Sequence, residues 1–177
     1  MSIKNKKRKH KPLIFNASPL IYFCKVGFSE IFNKFIEKKF MTPKVAKEVV
    51  EVGKKIGAPD AFVVEQLIKK SIINISSPKN KEFIRTLEKI PDLHEAEIQV
   101  LALAKEIGGI AILDEGLARE IGTMYGIDVH GSAYLLIRLY HEKFISRNEA
   151  KEILEKMIAA GWRLSVEEYS KILKEFE

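Results

Sequence analysis

The sequence predicts a three-layer α/β/α sandwich with a central parallel sheet of about five strands, closed by helices at the C-terminus. Three observations lead there. Short runs of consecutive apolar residues, such as Leu13-Ile14-Phe15 and Ile110-Ala111-Ile112-Leu113, read as strands buried on both faces. These runs alternate with stretches of helical periodicity, the pattern of a parallel sheet covered on each side. The length of 177 residues and the hydrophobic content of 46% suit a single globular domain.

The elements follow in order. Leu13-Ile14-Phe15 is the first strand and ends at Asn16. Ser18-Pro19 then reads as a helix start, with Ser as N-cap and Pro at the first helical position. Phe28 to Phe35 continues as an amphipathic helix. Phe40-Met41 is the second strand, and Thr42-Pro43 opens a helix to about Val52, which Gly53 and Gly57 break. Asp60 to Lys70 is helical, Ser71 to Ser76 a third strand, and Lys79 to Ile90 a helix stopped by Pro91. Asp92 to Ile107 is the best-marked helix, and Gly108-Gly109 ends it. Ile110 to Leu113 is the fourth strand, Glu115 to Tyr125 a helix, Ile127-Asp128-Val129 the fifth strand, and Ser132 to His141 a helix. Two helices, Arg147 to Ala160 and Val166 to Phe176, close the chain around Gly161-Trp162-Arg163-Leu164-Ser165. The expected organisation is a basic arm over 1–11, the α/β domain over 12–145, and a helical pair over 146–177 packed on it.

Composition narrows the function classes. The single cysteine, Cys24, excludes an internal disulfide and a multi-thiolate zinc site, and its apolar surroundings predict a buried core thiol. No stretch approaches the ~20 apolar residues of a membrane span, and no apolar segment of signal-peptide length follows the basic start. A cytoplasmic protein is therefore expected. The net charge of +6 equals the charge of Lys4, Lys6, Lys7, Arg8, Lys9 and Lys11, so the remaining body is formally neutral. Such an arm suits phosphate backbone, or equally a solvated tail.

Ligands of open parallel sheets bind beyond the carboxyl ends of the strands. Asn16 stands at that end of the first strand, and Asp114 and Glu115 at that end of the fourth. In the helix from Asp92, Glu97 shares the apolar stripe of Val100, Leu101 and Ala104, which makes it a carboxylate on an inward face. Glu95 faces the other way, and Asp92-Leu93-His94-Glu95 reads as a capping box served by Glu95. Glu48 borders the apolar stripe of Val45, Val49 and Val52. Asp114 is alternatively the N-cap of the following helix. Acids converging on one edge repel unless a cation is present, and oxygen ligands without Cys or His suit Mg²⁺ or Mn²⁺ rather than zinc. His130, near the end of the fifth strand, reads more readily as structural than as part of the site. There is no Walker loop, no dinucleotide fingerprint and no zincin spacing.

Leu13-Ile14-Phe15-Asn16-Ala17-Ser18-Pro19-Leu20-Ile21 resembles the opening strand and loop of PIN domains. Thr42-Pro43-Lys44-Val45-Ala46-Lys47-Glu48-Val49 resembles their second motif, with Glu48 at its acid. His94-Glu95-Ala96-Glu97 resembles the third, and Ile112-Leu113-Asp114-Glu115-Gly116-Leu117-Ala118-Arg119 the fourth. The ending from Ala159 to Ser165 resembles a prokaryotic branch related to toxin ribonucleases of toxin–antitoxin pairs. The resemblance spans about residues 13 to 175. It implies a parallel sheet between helices and Mg²⁺- or Mn²⁺-dependent cleavage of single-stranded RNA. The implied site is Asn16, Ser18, Glu48, Glu95, Glu97, Asp114 and Glu115, with Asn16, Glu95, Glu97, Asp114 and Glu115 as metal ligands. RNA is the implied partner, with an antitoxin or other protein partner and a homodimer left open. Asn16 stands where the family usually has Asp, and Glu115 where a second Asp is common. The rival expectation is therefore a PIN-like RNA- or protein-binding module with feeble or lost catalysis.

Overall fold

The computed structural model describes residues 10–177. Lys4, Lys6, Lys7, Arg8 and Lys9 of the basic arm lie outside the described residues. The sheet has five strands: β1 (Leu13–Phe15), β2 (Lys39–Met41), β3 (Asn74–Ile75), β4 (Ile110–Ile112) and β5 (Asp128–His130). Their order is β3-β2-β1-β4-β5 and all pairings are parallel. β1 lies at the centre, with Ile14 opposite Phe40 on one side and Ala111 on the other. Leu13, Ile14 and Phe15 are fully buried, as a continuous apolar run demands. The expected third strand shrinks to two exposed residues; the segment reaches the core before them, through the buried Ile73 and the partly buried Ile72.

Helices cover both faces. Before β3 in the chain come α1 (Ala17–Lys25), α2 (Ile31–Lys34), α3 (Pro43–Ala46), a π-helical turn (Lys47–Val52), α4 (Gly53–Lys55) and α5 (Pro59–Lys69). Then come α6 (Lys81–Leu87), α7 (Glu95–Ile107), α8 (Gly116–Met124), α9 (Ser132–His141), α10 (Arg147–Ala159) and α11 (Val166–Glu175). Several boundaries differ from expectation for identifiable reasons. α1 begins at Ala17 with Asn16 at the N-cap position, and the Asn16 side chain makes no capping bond. The segment from Phe28 to Phe35 is helical only over Ile31–Lys34.

The helix opened by Pro43 does not break at Gly53. Thr42 caps it by accepting from the Val45 N–H, and the backbone stays helical through Gly53 to Lys55. A Cβ at Gly53 would lie 2.8 Å from the Cβ of Ala61. The glycine is there to let α5 pack closely, not to stop the helix. Gly57, at φ 73°, makes the turn instead.

The last two helices share the main core. Ile153, Leu154, Met157, Trp162, Ile172 and Phe176 are buried within it. The Phe176 ring meets Tyr140 edge-on at 5.4 Å. Tyr22 and Lys25 of α1 donate to the carbonyls of Gly161 and Ala160, 3.1 Å each, and fasten the turn after α10. Among the described residues, no helix is long and apolar enough to cross a membrane.

Candidate functional site

From β1 the chain moves outward through β2 and β3, and the later strands β4 and β5 build on the opposite side. The order therefore reverses between β1 and β4, where a crevice opens beyond the carboxyl ends of the strands. A cavity of about 500 Å³ sits there, lined among others by Asn16, Ser18, Lys44, Glu48, Glu97 and Glu115. Glu95 and His94 lie on its wall as well. Six of the seven sequence-predicted residues thus face one cavity, and only Asp114 does not.

The β1–α1 junction grips Glu115. Asn16 Nδ2 donates to Glu115 Oε2 at 3.3 Å, and Ser18 Oγ donates to Oε1 at 3.1 Å. The Asn16 N–H donates to the carbonyl of Ile112 at 2.9 Å, locking the two strand ends together. With its amide nitrogen committed to a carboxylate, Asn16 leaves Oδ1 buried and without a partner. The residue is only 5% exposed. A buried acceptor in that state costs about 1–3 kcal/mol unless a donor or cation arrives.

Glu97 is 4% exposed on the inward face of α7. Its Oε2 accepts the His94 N–H at 2.8 Å. The capping box of α7 therefore belongs to Glu97, with His94 as N-cap, and not to Glu95 with Asp92. Asp92 sits at φ 62°, outside the helix. Burial pushes the Glu97 carboxyl above its ordinary pKa, the His94 N–H opposes this, and the charges of Glu115 and Glu48 add to the rise. Glu48, carried on the π-helical turn at the rim, is raised first by the protein wall beside it and then by Glu115, against Lys44 and His94. Single π turns often occur at functional sites. Glu95 is exposed and ion-paired to Lys44.

Asp114 points elsewhere. Its Oδ1 accepts the Ser132 N–H and its Oδ2 accepts Ser132 Oγ, both at 2.7 Å. It therefore serves the start of α9, not the N-cap of α8, where Glu115 stands. Desolvation raises its pKa and the two Ser132 bonds oppose the rise. His130 also lies outside the cavity: its ring stacks on Tyr134 at 4.0 Å and its Nε2 is 3.0 Å from Asp128. Lys11, the one lysine of the arm within the described residues, pairs with Asp128 at 3.0 Å.

Sequence reasoning did not single out Lys44 or His94. Lys44 lies four residues before Glu48 on the same helix, a spacing that places the two on one face. That was the available signal for Lys44. His94 enters as the cap of α7, through its backbone, and as part of the cavity wall.

The donor set of carboxylates and an amide oxygen, without thiolates, suits a hard divalent cation in kind. The partnerless Asn16 Oδ1 and the raised carboxyls of Glu48 and Glu97, each pushed up in part by the charge of Glu115, are what a cation would relieve. Among the described residues, however, no three His, Cys, Asp or Glu side chains are grouped closely enough to hold an ion. Enclosing one requires side-chain rotation, which the exposed Glu48 can make freely.

A family model described as a PIN domain matches residues 12–177 of the chain. No curated protein sequence matches it.

Proposed function

The chain belongs to the PIN-domain family, and from that premise we propose that it is a Mg²⁺- or Mn²⁺-dependent endoribonuclease acting on single-stranded RNA. The observation that carries this reading is the buried, partnerless Asn16 Oδ1 set among Glu48, Glu97 and Glu115 at the switch point of the sheet. When bound, the ion supplies Lewis-acid stabilisation of phosphate oxygens and a lowered pKa for the attacking water. Asn16 Oδ1, Glu97 and Glu115 would hold it, with Glu48 and Glu95 closing the rim. Ser18 and Asn16 keep both oxygens of Glu115 in place. Lys44 brings a positive charge to the rim, where it would meet the RNA backbone. Asp114, by holding the start of α9, positions the loop that carries Glu115.

The arm lysines and Arg8 extend the proposal to the RNA backbone. Removing residues 1–11 should flatten the salt dependence of RNA affinity, by up to about 0.7 in slope for each phosphate that the arm neutralises. The setting proposed is cytoplasmic. A protein antitoxin or a second copy of the chain would appear as an added mass in solution scattering of co-purified material.

The test is cleavage of a labelled single-stranded RNA with Mn²⁺, Mg²⁺ or EDTA. Activity with metal, lost in Glu115→Gln and Glu97→Gln, is expected. Cleavage that survives in EDTA, or in both variants, would overturn the reading. A second reading, an RNA- or protein-binding module without catalysis, is favoured by the neutral Asn16 and by the lack of a tight carboxylate group among the described residues. RNA binding with no cleavage in any metal selects it.

A further inference from the structure

Asp114 and Glu115 are consecutive, about 3.8 Å apart at Cα, yet they line different cavities. The second cavity, of about 250 Å³, lies between the start of α9 and α11. Trp162, Leu164 and Ile172 form its apolar wall, and Arg119, Arg163 and Lys171 bring positive charge.

The acids of this cavity are already engaged. Asp114 is held by Ser132, and Glu168 Oε2 accepts from the N–H and Oγ of Ser165, each at 2.9 Å. Lys171 pairs with Glu167 at 2.7 Å. The two arginines differ. Among the described residues, the only arginine in an ion pair is Arg138. Arg119 donates from Nη1 to the Asp114 carbonyl at 2.8 Å, which aims its guanidinium along the cavity wall. That bond uses one of five N–H donors and leaves a fork suited to phosphate. Gly131 permits this arrangement: a Cβ there would lie 2.9 Å from Asp114 Oδ1 and 3.1 Å from Arg119 Nη1.

We propose that this cavity is a nucleotide subsite, in which Arg119 and Arg163 take a phosphate and the wall around Trp162 takes the attached ribose and base. The occupant is the nucleotide of single-stranded RNA next to the one held at the acid cavity, because the two cavities flank one loop. An apolar wall edged by the half-exposed Leu164 tolerates any base, while two arginines hold the backbone. The proposal rests on the ribonuclease reading for its substrate, but not for its site.

Trp162 is the only tryptophan in the chain, so its emission reports on this cavity alone. The full chain, in EDTA, is titrated with uridine and adenosine 5′-monophosphates, with uridine, and with inorganic phosphate. A saturable emission change with both nucleotides is expected. It should weaken at least about ten-fold for uridine, for inorganic phosphate and in Arg163→Ala, each of which removes one charge-assisted bond or the apolar wall's occupant. Arg163 is exposed, so the variant should fold, and its melting is checked beside the parent. No saturable change, or equal affinity for uridine, for inorganic phosphate or in Arg163→Ala, overturns the subsite. Neither metal nor cleavage enters the titration. Nucleotide binding without RNA cleavage would therefore remove the nuclease reading and keep the subsite. RNA cleavage without nucleotide binding would do the reverse.

Discussion

Replacing Asn16 with Asp exchanges a hydrogen bond for a repulsion. Asn16 Nδ2 lies 3.3 Å from Glu115 Oε2, where Asn16 is buried and Glu115 partly so. Two ionised carboxylates at that distance repel by about 5 kcal/mol at an effective dielectric near 20. Protonating one of them instead costs about 4 kcal/mol near pH 7 for a group of ordinary pKa near 4, so the penalty has a ceiling. Rotation of Glu115 away from Ser18 relieves part of it. The expected destabilisation in EDTA is about 2–4 kcal/mol, a fall of roughly 6–12 °C in melting temperature for a domain of this size. Millimolar Mn²⁺ should offset most or all of this loss. A cation bound between the two carboxylates returns about 2.7 kcal/mol at a hundred-fold excess over its dissociation constant. The variant should then melt closer to the parent, or above it, and cleave RNA faster. The assay is a thermal melt of both proteins with EDTA and with Mn²⁺, beside an RNA-cleavage time course. If the variant melts identically to the parent in both conditions and cleaves no faster, Asn16 does not adjoin a metal site.

Asp114→Ala should destabilise the protein by about 2–4 kcal/mol in urea unfolding, since it leaves Ser132 with two orphaned donors in a buried place; an unchanged midpoint would mean that α9 needs no such cap. The pH dependence has two windows. Glu65, Glu149, Glu167 and Glu168 are lowered, so their stabilisation is lost as pH falls below the ordinary carboxylate range. Glu48, Glu97 and Asp114 are raised, so the folded state holds more protons than the unfolded one above that range and stability should fall as pH rises through it. A urea midpoint in EDTA that climbs steadily towards neutrality would contradict this. Burial, helped by the charge of Asp60, pushes the Cys24 thiol up to about 12, so a thiol reagent at mildly alkaline pH should react only at the rate of unfolding. Reaction on mixing would refute its burial.

The sheet was legible because strands sealed on both faces have nothing but apolar side chains, as Leu13-Ile14-Phe15 does. The candidate edge was legible because parallel strands carry their loops to one end, which brought Asn16 and Glu115 together. The inward face of α7 announced Glu97 by its period. What periodicity does not encode is the direction of side chains in loops. Asp114 and Glu115 look equivalent in the sequence, yet one reaches Ser132, eighteen residues on, and the other reaches back to Ser18. The arginine pair of the second cavity was equally hidden, because Arg119 and Arg163 belong to distant segments. Gly53 misled because a glycine that stops a helix and one that admits a neighbouring helix are spelled alike.

The π-helical turn over Lys47–Val52 also bears on how the chain tolerates a change of length. A π turn holds one more residue than the α turn it replaces, and here the Gly53 N–H reaches back five residues to the carbonyl of Glu48. Such a bulge is the trace that a single-residue insertion leaves in a helix. Deleting one residue there would restore a regular α turn with its bonds closed, and would leave α4 and α5 in register with the core. The same deletion would turn Glu48 off the cavity by about a quarter of a helical revolution, the angle that one residue spans. The packing of this edge and the direction of Glu48 can therefore be separated by one codon.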